Sequence, residues 1–198
     1  MKSDNLPKRI GLTGGIGSGK TYVAKIFERK GFPVFYSDRV AISLMTQNKE
    51  LIQEVKSLLG EESYVNGALN RHFIAELIFK DNKLLDKMNA LIHPAVRQEF
   101  ELFIKQNQDK QYVFNEAAIL FETGSYKSMD YNILVIAPEA VRIDRVMKRD
   151  GTTRDKIEER MTKQWSDDKK IPLANFLIYN VKSSDLEAQI DEIITQLK

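Results

Sequence analysis

The segment Gly14-Gly15-Ile16-Gly17-Ser18-Gly19-Lys20-Thr21 constrains this chain more than any other stretch. It fits the pattern GxxxxGK[ST] at all four fixed positions. With glycine near ~7% of residues, a random fit in a chain of this length has a chance on the order of 1%. The surroundings narrow the reading further. The apolar run from Arg9 to Thr13 has the pattern of a buried strand. After the glycines, Val23, Ala24, Ile26 and Phe27 recur at helical spacing, with Gly31 as a stop. Strand, glycine turn and helix in that order are what a phosphate-binding (Walker A) loop requires. Glycines let successive N–H groups turn inward on phosphate oxygens, and the helix start adds partial positive charge. The cradle is expected to comprise Gly15, Ile16, Gly17, Ser18, Gly19, Lys20, Thr21 and Tyr22. Lys20 would bridge the β- and γ-phosphates of ATP, and the Thr21 hydroxyl would hold Mg2+. A glycine-rich turn without a ligand is the bland alternative.

Composition excludes several classes of protein. Hydrophobic residues at 42% and charged residues at 29% belong to a globular chain, not a disordered or fibrous one. The longest apolar stretches, 117–121 and 133–137, fall far short of the ~18 residues a membrane span needs. The absence of cysteine rules out a disulfide framework and a thiolate site. Two histidines argue against zinc. The stretch from Met1 to Lys8 has no apolar core, so it is not read as a signal peptide and a cytoplasmic location is expected. The net charge of +2, without blocks of like charge, argues neither for nor against nucleic acid; the partners expected are small molecules, with neither nucleic acid nor a membrane among them.

Further along, strands are expected at 33–36, 112–114, 132–137 and 176–179. From 40 to 108 we read helical periods and no strand, with a break at His93 and a new helix opened by Pro94. Helices are expected at 142–149 and at 153–164, the second opened by Thr152 with Asp155 three residues on. Ser184 with Glu187 should cap a closing helix whose apolar face is Leu186, Ile190, Ile193, Ile194 and Leu197. Strands alternating with helices imply an α/β fold, with three layers built on a central parallel five-stranded sheet. The chain reads as one domain, 1–198. Its helical stretch at 40–110 is too long for a simple crossover and reads as an inserted lobe near the strand ends where ligands bind.

The nucleotide chemistry can be narrowed. No aspartate has glycine three residues later, so a GTPase switch element is missing. Tyr112-Val113-Phe114-Asn115-Glu116 is a poor version of the long, aspartate-ended strand of a motor ATPase. A small-molecule kinase remains. From about Ile10 to Asn180 the chain resembles the dephospho-CoA kinase family. The resemblance rests on Leu12 through Lys20, on Asp38 after the second strand, and on Leu91-Ile92-His93-Pro94 in the insert. It continues with Ile119-Leu120-Phe121-Glu122, with Arg145 and Arg149 before Asp150, with Gln164, and with Ile178-Tyr179-Asn180. Tyr36, Ala118 and Asn175 stand where the family usually has aspartate, proline and aspartate.

The resemblance implies a P-loop kinase fold with a helical acceptor-binding insert and a helical lid at 142–170. It implies ATP-dependent phosphorylation of the ribose 3′-hydroxyl of dephospho-CoA, with Mg2+. Asp38 would be the base that accepts the hydroxyl proton; a helix N-cap or a water-linked magnesium ligand are its alternatives. Arg71 and His93 would contact the acceptor, although Arg71 could simply pair with Glu76 and His93 could mark a helix break. Arg145 and Arg149, four apart on one helix face, would meet the nucleotide phosphates, with Arg149 also catalytic and Arg160 a weaker candidate. An exposed basic helix would show the same spacing. Trp165 reads as packing. A nucleoside or nucleotide kinase of the same architecture is a rival, as is a P-loop regulator that binds ATP without turnover. The presence of both Lys20 and Asp38 speaks against the regulator.

Overall fold

The computed structural model describes residues 6–182 and 185–197. In chain order its elements are β1 (Lys8–Thr13), α1 (Lys20–Arg29), β2 (Val34–Tyr36), α2 (Ser37–Gln47), α3 (Lys49–Leu59), β3 (Tyr64–Val65), β4 (Ala68–Leu69), α4 (Arg71–Lys80) and α5 (Asn82–Gln106). They continue with β5 (Tyr112–Glu116), β6 (Tyr131–Ile136), α6 (Glu139–Asp150), α7 (Arg154–Met161), α8 (Asp167–Lys170), β7 (Phe176–Tyr179) and α9 (Leu186–Gln196). The chain forms two compact units, residues 1–36 with 104–198 and residues 37–103.

The first unit is built on the expected parallel sheet of five strands, in the order β2-β5-β1-β6-β7. β1 is paired on both sides, Ile10 lying opposite Phe114 of β5 and opposite Tyr131 of β6. A central parallel strand is covered on both faces, which is why Ile10 through Thr13 is wholly buried and reads as a continuous run. Val23, Ala24, Ile26 and Phe27 of α1 share one cluster with Leu186, Ile190 and Ile193 of α9. The Phe27 ring lies 4.3 Å from that of Phe114. Gly31 ends α1 as expected, with φ at 90° and its N–H on the Glu28 carbonyl. At the start of β7, Asn175 accepts from the Asn132 N–H at 2.8 Å and donates its own N–H to the Asn132 carbonyl. The capping expectation for Ser184 lies outside the described residues.

The second unit begins where β2 ends. Asn48 accepts from the Leu51 N–H and caps α3, Asn70 accepts from the Phe73 N–H and caps α4, and Asp81 accepts from the N–H groups of Lys83 and Leu84 at the start of α5. Leu51, Val55, Ile74, Met88 and Ile92 form its core.

Three local expectations are corrected. The insert contains a strand pair, Tyr64 opposite Leu69 and Val65 opposite Ala68. Its turn is Asn66-Gly67 with both φ values positive, 50° and 77°, a two-residue hairpin signal flanked by runs too short to stand out. Helix α5 does not break at His93 but continues through Pro94. Its apolar stripe extends past the proline to Val96 in the same cluster, and that burial offsets the lost hydrogen bond. Helix α7 opens at Thr153, not Thr152, with no side-chain cap. Among the described residues no helix is long and apolar enough to cross a membrane.

The ring contact between α1 and β5 supports a first prediction. Truncating the fully buried Phe27 to alanine should destabilise the protein by about 3–5 kcal/mol, read as a lower urea midpoint. A loss under about 1 kcal/mol would show that this face of the sheet is not packed as described.

Candidate nucleotide site

The loop lies between β1 and α1, so the central strand delivers it to the C-terminal edge of the sheet, where ligands bind in parallel α/β sheets. Gly19 shows why the residue type matters. Its φ is 89°, and an added Cβ would overlap the Asn180 side-chain amide. That amide, from the residue after β7, donates to the Ser18 carbonyl at 2.8 Å. Arg145 on α6 reaches the same carbonyl at 3.5 Å and the Asn180 Oδ1 at 3.4 Å. The outer turn of the loop is held by other residues. The Ile16 N–H donates to Gln164 Oε1 at 2.8 Å, and the Ile16 carbonyl accepts from Arg142 Nε at 2.9 Å.

The charge at the centre of the site comes from β5. Lys20 Nζ lies 2.6 Å from Glu116 Oε1, and the Thr21 hydroxyl donates to the same oxygen at 2.8 Å. Glu116 is 2% exposed, so this ion pair is screened little by water. Sequence reasoning saw Glu116 only as a poor strand-end acid; its place at the C-terminal end of a core strand was the available signal. Gln164 was marked only by the family resemblance, and Arg142 by nothing, because the Ile16 groups they hold lie more than a hundred residues away.

The donors present fit a hard divalent cation. Thr21 and Glu116 supply hydroxyl and carboxylate oxygens. Among the described residues no group of three or more His, Asp or Glu gathers at one point. A cation here would therefore take most of its ligands from phosphate and water, as Mg2+ does.

Arg149 donates from Nε and Nη2 to Asp150 at 2.6 and 2.9 Å, and Arg160 reaches the same carboxylate at 3.2 Å. The bond from Arg149 holds the Asp150 carboxyl well below the usual carboxylate range, at about 2, with help from Arg160. Tyr22 is half exposed on the first turn of α1. Asp38, Arg71 and His93 belong to the second unit. Asp38 is exposed in the first turn of α2 and Arg71 opens α4. Glu76, the alternative partner considered for Arg71, lies near His72 instead, at 3.7 Å. Burial, and then the nearby Arg97, push the pKa of His93 down, so its imidazole is neutral at physiological pH. Trp165, expected to pack, is 40% exposed.

The departures from the family pattern have visible partners. The Tyr36 hydroxyl donates to Glu28 at 2.8 Å. Ala118 offers its carbonyl to Gln164 Nε2 at 3.2 Å. Asn175 closes β6 on β7 as described above.

Comparison with known proteins identifies the family. The family model described as dephospho-CoA kinase matches residues 8–185. The dephospho-CoA kinase of Bacteroides fragilis is 33% identical over 96% of this chain and 92% of its own length. A crystal structure from Thermus thermophilus superposes with a TM-score of 0.87 at 34% identity, covering 98% of this chain and 100% of that one. The fold alone is shared with the dephospho-CoA kinase from Campylobacter jejuni, at TM-score 0.68, 21% identity and 96% of each chain. With the loop, its lysine and their supports in place, the chain belongs to the dephospho-CoA kinase family.

Proposed function

We propose that this chain transfers the γ-phosphoryl group of ATP to the ribose 3′-hydroxyl of dephospho-CoA, giving coenzyme A and ADP. The observation that carries the reading is the convergence of Lys20 and Thr21 on Glu116 beneath a glycine loop whose carbonyls are already engaged by the protein. In the reaction the bond from the γ-phosphorus to the β,γ-bridging oxygen breaks, and ADP leaves with the electron pair. The 3′-oxygen bonds to phosphorus and releases its proton to Asp38. Loop N–H groups and Lys20 bind the phosphates, and Arg145 meets them from α6. Arg149 leaves Asp150 to meet charge developing on the transferred group. Thr21 and Glu116 would hold magnesium, which would supply positive charge against the phosphates. Residues 142–170 act as the lid and the insert binds the acceptor through Arg71 and His93. The ATP pool that such a reaction draws on supports a cytoplasmic location. Coupled ADP release should depend on dephospho-CoA. Equal release with AMP, or with no acceptor, would contradict the assignment.

Three substitutions test the roles. Lys20→Ala should abolish the thermal stabilisation given by ATP with magnesium. The substitution also leaves Glu116 buried without that cation, so each variant is compared with itself, with and without nucleotide. A stabilisation equal to that of the wild type would remove Lys20 from the phosphate site.

Arg149→Ala should lower kcat roughly 10²-fold, the scale of one lost transition-state donor, while raising the KM for dephospho-CoA far less. Full kcat in this variant would reduce Arg149 to an exposed partner of Asp150.

Asp38→Asn should cost roughly 10²–10⁴-fold in kcat, the span of general-base assistance, with melting temperature nearly unchanged because Asn and Asp serve a helix start about equally. A rate within about threefold of wild type would fall below that span and exclude the base role; recovery at raised magnesium would make Asp38 a metal ligand instead.

A further inference from the structure

Between Gly14 and Gly19 the one bulky side chain is Ile16, and each part of it is held by residues from beyond β5. The side chain packs against the cluster of Ile143, Val146 and Ile157 on α6 and α7. The carbonyl accepts from Arg142 Nε, and the N–H donates to Gln164 Oε1. Gln164 is itself tied down, because its Nε2 donates to the Ala118 carbonyl at 3.2 Å, two residues past the end of β5. Its neighbour Trp165 donates its backbone N–H to Glu122 at 2.9 Å. Glu122 also pairs at 2.9 Å with Lys170, whose side chain is wholly buried. The segment that presents Gln164 is therefore anchored independently of the loop.

We propose that Gln164 is a positioning residue for the phosphate cradle. A carboxamide carries a donor and an acceptor on one rigid plane, so it can join the Ile16 N–H to the Ala118 carbonyl where no hydrocarbon chain could. A glycine-rich backbone loses more freedom on ordering than any other. A loop pinned at Ile16 before the anion arrives avoids part of that cost, and the saving appears as affinity. Arg142 complements the pin from the other side: its guanidinium lies so close to Gly15 that an added Cβ there would overlap it. This inference rests on the ATP reading of the loop. It has a specific rival, since Gln164 also borders a cavity of about 980 Å³ shared with Pro138, Trp165 and Tyr179, where a ligand could touch it directly.

Gln164→Met keeps the length of the side chain and removes both hydrogen bonds. Calorimetric titration of the full chain with ATP and with inorganic tripolyphosphate separates the readings. Positioning predicts that affinity for both falls by the same factor, roughly tenfold, the scale of one hydrogen bond with its partner left unsatisfied. The KM for ATP should rise in step, with kcat, the KM for dephospho-CoA and the melting temperature near wild type. Should the Met variant fail to fold, Gln164→Asn, too short to span both partners, should show the same loss. Unchanged affinity for both ligands overturns the proposal. So does a loss confined to ATP, which would mean direct contact with the nucleoside, and so does a fall in all parameters together with stability. Wild-type protein that binds neither ligand overturns the kinase reading itself.

Discussion

A loop made mostly of glycine has almost no side chains with which to hold its own shape, so its shape has to be imposed from outside. In this chain the imposition is made at three carbonyl and amide groups and one ion pair. Asn180 and Arg145 take the Ser18 carbonyl, Arg142 takes the Ile16 carbonyl, Gln164 takes the Ile16 N–H, and Glu116 takes Lys20 and Thr21. The parallel sheet makes this possible. Because every strand runs the same way, the C-terminal ends of β1, β5 and β7 deliver the loop, Glu116 and Asn180 to one edge. β1 sits at the centre of that edge, with its pairing satisfied on both sides.

The positive side chains of α6 divide between two tasks. Arg142 and Arg145 each reach a loop carbonyl, whereas Arg149 faces Asp150 together with Arg160. Asp150 stays ionised because two guanidinium groups stabilise its charged form. The family departures disturb none of this. The contact made by Ala118 uses its backbone carbonyl, which a proline would offer equally, and Asn175 serves the strand pairing with a side-chain oxygen that an aspartate also has.

Much of the fold was legible because it follows from periodicity and burial. The five strands, α1 with its Gly31 stop and the apolar face of α9 are patterns of neighbouring residues, and neighbouring residues determine them. Pro94 misled because its cost is local while the burial that offsets it is not; Met88, Ile92 and Val96 hold α5 together across it. Asn66-Gly67 was a readable turn signal, but two-residue strands leave no alternation to count. In the site, the loop residues were legible as a motif. Glu116 showed only as a strand-end acid and Gln164 only through the resemblance. Their partners, and that of Arg142, were not legible, since they lie 95 to 148 residues distant and so distant a contact leaves no local pattern in the chain.

The central claim concerns where one phosphoryl group ends up. Protein incubated with ATP, magnesium and dephospho-CoA should yield a product heavier by one phosphoryl group, with a new phosphomonoester resonance in the phosphorus spectrum coupled to the ribose H3′ proton. Consumption of ATP with no gain in mass, or a monoester coupled to any other proton, would contradict the account.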